Sequence, residues 1–153
     1  MELLTGLLRV VVLVGTGLVA GVLFAVALSV VPALLAMPAD RYVWAHTLLG
    51  RRYDRVMPWI TAVAVLSAVV LAVRAHDARQ ASLYVAAAIC MAGVAAVSQG
   101  GNVPINRRVK RTRPEDVGPG WDDPRRQWRS WHLLRTGLAM TACLLAAVAG
   151  VLP

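Results

Sequence analysis

Residues 10–37 read VVVLVGTGLVAGVLFAVALSVVPALLAM, 28 positions without a charge. At about 1.5 Å per residue, a helix of that length outruns the roughly 30 Å hydrocarbon core of a bilayer. The run is also far longer than the roughly 7 to 15 apolar residues of a signal-peptide core. Glu2 precedes it and Arg9 is its only early cation, so it is expected to remain as a first membrane helix. Three more uncharged runs follow, at 56–73, 80–106 and 136–153, each near or above the span requirement. With 58% hydrophobic residues and a mean hydropathy of +0.62, the chain is too apolar for an ordinary soluble domain. The expected fold is all-α, a four-transmembrane-helix bundle with a short interfacial helix after helix one. One integral membrane domain over 1–153 is expected to carry spans at about 9–36, 58–74, 81–106 (kinked near Pro104) and 124–151, with the interfacial helix at about 38–54.

A net charge of +8 and a pI near 11.0 would suggest nucleic acid in a soluble chain. Their distribution points to a membrane surface instead. With four spans, the first and third loops share a side, and that side holds Arg41, Arg51, Arg52, Arg55, Arg107, Arg108, Lys110, Arg111, Arg113, Arg125, Arg126 and Arg129. The opposite side has Arg9, Arg74 and Arg79. By the positive-inside rule the richer side is cytoplasmic, which leaves both termini outside a cell membrane. Anionic headgroups are the expected partners of the basic face, with no nucleic acid. Cys90 and Cys143 lack the spacing of a zinc or redox motif and read as small core residues. With aromatic content at 6%, the bundle must pack through Ala, Val, Leu and Gly.

Gly17 and Gly21 are four apart in helix one, a spacing that lets a second backbone approach, here read as packing within the bundle. The oligomeric state stays open. Pro32 either kinks that helix or marks its last turns. In loop one, Tyr42, His46, Leu49 and Tyr53 recur at spacings of four, three and four, an aromatic stripe along one face of a short helix. His76 and Asp77, in the outer turn, are explained by solvation alone. The third loop, with Pro114, Gly118, Pro119 and Gly120 among mixed charges, is expected to be exposed and mobile. Asp123 before Pro124 supplies the start of helix four.

Two stretches are less generic. Gly100-Gly101-Asn102-Val103-Pro104-Ile105-Asn106 places two amides around a proline where a hydrophobic run gives way to basic residues. If the helix continues past Pro104, Asn102 and Asn106 face the same way and can hold a polar substrate atom. Equally, both amides can satisfy frayed backbone. The second stretch opens helix four, where Trp128, Trp131, His132 and Arg135 share a face. Two interfacial tryptophans and a snorkelling arginine are ordinary membrane features. An imidazole between them is not explained that way, and ionisable groups at membrane depth are functional candidates.

Taken together, the four-helix layout, Asn102-x-Pro104-x-Asn106 and Trp128-x-x-Trp131-His132-x-x-Arg135 resemble the anthrone-oxygenase-like family of small membrane proteins. The resemblance implies oxidation of a lipophilic, flat aromatic substrate of the anthrone or polyketide type with O2. On that reading His132 is the general base and Arg135, Asn102 and Asn106 stabilise an oxyanion. Trp128, Trp131, Tyr42 and His46 contact substrate. No nucleotide fingerprint, zinc spacing or carboxylate cage is present in the sequence, so no cofactor is expected. A copper or iron site on His46 and His132 is the alternative. The competing class is a non-catalytic helper subunit or a module binding a lipophilic ligand. A catalytic site requires His132, Arg135 and Asn102 to converge on a pocket, whereas capping leaves them paired to backbone.

Overall fold

A computed structural model describes residues 2–49 and 52–151. Four long apolar helices, which we label α1 (Glu2–Ala36), α3 (Tyr53–Arg74), α4 (Ala78–Arg111) and α5 (Arg125–Val151), are each able to cross a membrane. Between the first two lies α2 (Ala39–Leu49), and a short 3₁₀ turn covers Pro114–Asp116. No strand occurs among the described residues. The main packing pairs are α1 with α3, α3 with α4, α4 with α5, and α5 back onto α1. That closes an up-down-up-down square. The chain is a multi-pass membrane protein.

Burial within this square is inverted relative to a water-soluble core. Ala64, Ala87, Ala139, Ala142 and Ala149 have no exposure, while Leu66, Ile89 and Leu144 are each 65% exposed on the outside. Small residues inside allow backbones to approach, and large apolar residues outside face lipid. The closest approach on α1 is at Gly15, where an added Cβ would stand 3.1 Å from the Cβ of Ala64. The expected Gly17–Gly21 contact is not made. Nothing lies within 4 Å of a Cβ on Gly21, and the nearest atom to one on Gly17 is the Cys143 Sγ at 3.9 Å. Their rotation about α1 turns that pair outward, while Gly15 points in.

Both α1 and α4 contain one π turn, at Val26–Val30 and Ser98–Asn102, and each is followed by Val-Pro. Proline lacks an N–H and its ring crowds the carbonyl four residues back. A wider turn ahead of it accommodates that ring, so both helices continue past Pro32 and Pro104 instead of ending there.

The core has three layers. Val12, Leu71, Tyr84 and Ala146 form one end, and Val19, Leu23, Ala64, Met91 and Ala142 the middle. Val31, Leu34, Tyr42, Val43, Ile105, Val109 and Trp128 form the basic end. Loop three is mostly exposed, as expected, but Val117 and Trp121 pack on this last cluster and Trp121 lies against Tyr42. The aromatic stripe of loop one also stops early. Tyr42 and His46 are buried, but Leu49 and Tyr53 are exposed, because α2 ends at Leu49 and Tyr53 begins α3. Asp77 accepts from the Gln80 backbone N–H at 2.8 Å, which makes it the cap of α4.

Candidate functional site

Between the middle and basic-end layers lies a polar layer built mainly by one face of α5. Trp128, His132, Arg135 and Thr136 fall at helical spacing on that face. Across from it, α4 contributes Ser98, Gly101, Asn102 and Asn106, so the two helices meet in antiparallel pairs: Ser98 with Arg135, Gly101 with Trp131, Asn102 with Trp128.

His132 has no exposed surface, and its Nε2 lies 3.0 Å from the Leu23 carbonyl. A carbonyl can only accept, so Nε2 carries the proton. Its Nδ1 is 3.0 Å from a guanidinium nitrogen of Arg135, which can only donate. The tautomer is therefore settled by its partners: a neutral ring whose lone pair is already held. Trp128 stacks on this imidazole at 5.2 Å between centroids and 12° between planes.

Arg135 reaches inward to Ser98 Oγ at 3.2 Å, and Ser98 in turn donates to the Val94 carbonyl. Its Nε is buried without a partner. Among the described residues no carboxylate lies within ion-pair distance of this guanidinium. A half-buried cation with only neutral acceptors at hydrogen-bond distance is costly to maintain.

The two asparagines meet the same tryptophan in different ways. Asn102 has no exposure and donates its Nδ2 to the Trp128 carbonyl at 3.1 Å, leaving Oδ1 without a partner. Asn106 accepts with Oδ1 from Trp128 Nε1 at 2.9 Å and from His46 Nε2 at 3.0 Å. Because the indole can only donate, that oxygen assignment is unambiguous, and His46 must carry its proton on Nε2. Burial holds the His46 pKa below the ordinary value, with the Asn106 bond working against that shift. The ring is neutral as well.

Tyr42 and His46 sit behind Trp128 rather than beside His132. Tyr42 is 5.3 Å from the His46 ring, and His46 meets Trp128 at 5.6 Å, edge to face. Burial raises the Tyr42 pKa, and its hydroxyl has no partner. Trp131 lies at the rim, 37% exposed, with its indole pressed on Gly101 so closely that an added Cβ would be 2.6 Å from the ring. It does not face His132.

His46 and His132 flank the same indole, each already hydrogen-bonded. Both nitrogens of His132 and Nε2 of His46 are already engaged, and Trp128 packs against both rings. Among the described residues no group of three or more His, Cys, Asp or Glu side chains could hold an ion.

Several participants were not visible in the sequence. Arg125 donates to the carbonyls of Leu34 at 3.0 Å and Met37 at 2.6 Å, covers the Tyr42 ring at 5.2 Å, and pairs with Asp123. It thereby ties the start of α5 to the end of α1. Ser98 and the Leu23 carbonyl were missed because a backbone acceptor leaves no mark in composition, and a serine at a helix end reads as a cap.

Among the described residues, grooves open to the surroundings include two away from the polar layer. One of 690 Å³ lies against Ala33, Met37, Arg41, Trp44 and Pro114. Another, of 510 Å³, follows Gly17, Gly21, Ala25 and Ser29 along α1 to Tyr53. Neither is lined by His132, Arg135 or Asn102.

Four apolar spans around a buried imidazole, guanidinium and stacked indole define a small membrane bundle with an internal polar site. Residues 44–145 of this chain match a family described as anthrone oxygenase, and the match covers most of the polar layer. The chain belongs to that family. No curated protein and no solved structure matches it.

Proposed function

We propose that this protein is a membrane-embedded oxygenase that acts on a lipophilic, flat, anthrone-like substrate with O2. The observation that carries the reading is the His132–Arg135 pair: a neutral imidazole whose base nitrogen rests on a guanidinium with no carboxylate partner. A substrate whose carbonyl oxygen becomes anionic would supply the missing negative charge. As Arg135 turns to that oxygen, Nδ1 of His132 is released to take a proton from the activated carbon. A base so positioned is worth roughly 10² to 10⁴ in rate, and an oppositely charged group at the developing oxyanion adds to it.

The balance closes without a further reductant. The ring CH2 of an anthrone loses a proton, the resulting enolate reduces oxygen, and carbon–oxygen bond formation followed by loss of water leaves a ketone. One oxygen atom enters the product and the other leaves as water. Trp128, stacked on the imidazole, fixes the plane of His132. Tyr42, His46 and Asn106 hold that indole in place.

A second reading, a non-catalytic helper subunit or a binding module for a lipophilic ligand, has its own support. Asn102 and His132 both donate to backbone carbonyls, which is how polar side chains join helices in a membrane. The two grooves named above also lie away from them. For either reading we place the basic end at the cytoplasmic face, against anionic headgroups, by the positive-inside rule.

Oxygen consumption by the purified, detergent-solubilised protein with a simple anthrone separates the readings. Activity that survives chelation and falls about a hundredfold or more in His132→Ala supports the oxygenase with His132 as base. Loss on chelation would shift the chemistry to a bound metal. Absence of turnover with a panel of anthrones would favour the binding module.

A further inference from the structure

The Asn102 amide is only half satisfied. Its Nδ2 donates to the Trp128 carbonyl, while Oδ1 is sealed inside the bundle without a partner. The amide cannot turn over to relieve this, because Oδ1 would then face another acceptor. The neighbouring donors are directed elsewhere: Trp128 Nε1 to Asn106, His132 Nε2 to Leu23, and one hydrogen from each terminal nitrogen of Arg135 to His132 and Ser98. The Nε of Arg135, a donor in the same layer, is likewise unpartnered. One acceptor and one cationic donor in this layer thus lack partners, Asn102 held on the carbonyl of Trp128 one turn before His132 and Arg135 one turn after it.

An amide oxygen repels an oxyanion, so Asn102 in this orientation cannot stabilise one. We propose instead that Asn102 determines specificity by accepting a hydrogen bond from a hydroxyl on the substrate, while the oxyanion falls to Arg135 alone. This rests on the reading of the polar layer as the substrate site and narrows its ligand to hydroxylated flat aromatics. A ligand carrying both a hydroxyl and a carbonyl oxygen satisfies both open groups. One lacking the hydroxyl leaves a buried acceptor unpaired, a discrimination that hydrogen-bonding sites achieve far better than apolar ones.

The test uses quinones that oxygen does not consume, so that binding is read apart from turnover. Quenching of tryptophan fluorescence would give affinities of the detergent-solubilised protein for anthraquinone, 2-hydroxyanthraquinone and 2-methoxyanthraquinone in mildly acidic buffer, where the hydroxyl keeps its proton. The hydroxy compound should bind about tenfold or more tightly than the other two, since the methoxy oxygen has nothing to donate. In Asn102→Leu the three should bind alike. Equal affinities in the unaltered protein would overturn the assignment, as would a preference that survives in Asn102→Leu or binding by none of the three. If that variant fails to fold, the comparison on the unaltered protein decides. A protein that consumes oxygen with an anthrone yet binds the three quinones alike refutes the hydroxyl acceptor and leaves the oxygenase standing.

Discussion

Gly101 shows how one missing side chain sets the geometry of the polar layer. The Trp131 indole occupies the space where a Cβ would sit, and this lets α5 approach α4 closely enough for Asn102 to reach the Trp128 carbonyl. Gly101→Ala should therefore behave as overpacking and cost about 1–3 kcal/mol. Gly100→Ala meets nothing within 4 Å and should be neutral or slightly stabilising. Thermal unfolding of the two variants in detergent checks the contrast, and equal midpoints would remove the indole from the argument. His46 supports a pH prediction at the same scale. Its folded-state pKa is depressed by burial, so the unfolded chain binds the proton more readily. Stability should be undiminished above the unfolded value near 6.5 and decline as pH falls below it. Unfolding midpoints measured from pH 8 to pH 5 should drop less in His46→Gln than in the parent, and parallel curves would show that His46 does not titrate on folding. The members of the site on α5 were legible because Trp128, His132 and Arg135 are spaced at four and three, which any helix places on one face. What each atom does was not legible. The orientation of the Asn102 amide depends on a carbonyl 26 positions away, and the partner of His132 is backbone on α1.

Among the helices, the spans announced themselves through length without charge, since nothing but a bilayer rewards four such runs. The π turns did not. A proline in a helix signals a kink, but the sequence does not say whether the chain stops, bends or widens there, and the result depends on which neighbours take up the displaced carbonyls. One feature of loop three was hidden for a related reason. Its composition is that of a mobile loop, yet Val117 and Trp121 find an apolar surface that exists only once α2 and α5 are in place. Arg125 is the residue that joins those elements. Its guanidinium donates to the carbonyls at the end of α1 and lies over Tyr42 of α2 while its backbone opens α5. Arg125→Ala removes several hydrogen bonds to half-buried carbonyls and should cost about 2 kcal/mol. Arg125→Lys should recover less than half, because a single ammonium cannot reproduce the fork. Protease nicking within residues 112–124 should rise in the same order, and unchanged nicking in Arg125→Ala would mean that the loop is held by Trp121 alone.

At the scale of the whole bundle, the ordinary rule for core mutations should invert. In a water-soluble protein, truncating a leucine is costly and enlarging a buried alanine is the rarer problem. Here Leu66 is 65% exposed on the outside of α3, while Ala64, two residues earlier, is sealed against α1 at Gly15. Lipid or detergent solvates the Leu66 side chain in the folded bundle as well as in separated helices, so its removal changes little. Leu66→Ala is expected to shift stability by less than about 0.5 kcal/mol. An added Cβ on Gly15 would already meet Ala64 at 3.1 Å, so there is no slack on that face for three more carbons. Ala64→Leu should cost about 1–3 kcal/mol or more by forcing α1 and α3 apart. The disturbance should reach the site, because α1 carries the Leu23 carbonyl that holds His132 and packs in the same middle layer as Ala64. Midpoints of unfolding in detergent, read beside oxygen uptake for the same variants, make the comparison. A costly Leu66→Ala with a harmless Ala64→Leu would mean that the exposed faces are buried in solution by something other than lipid.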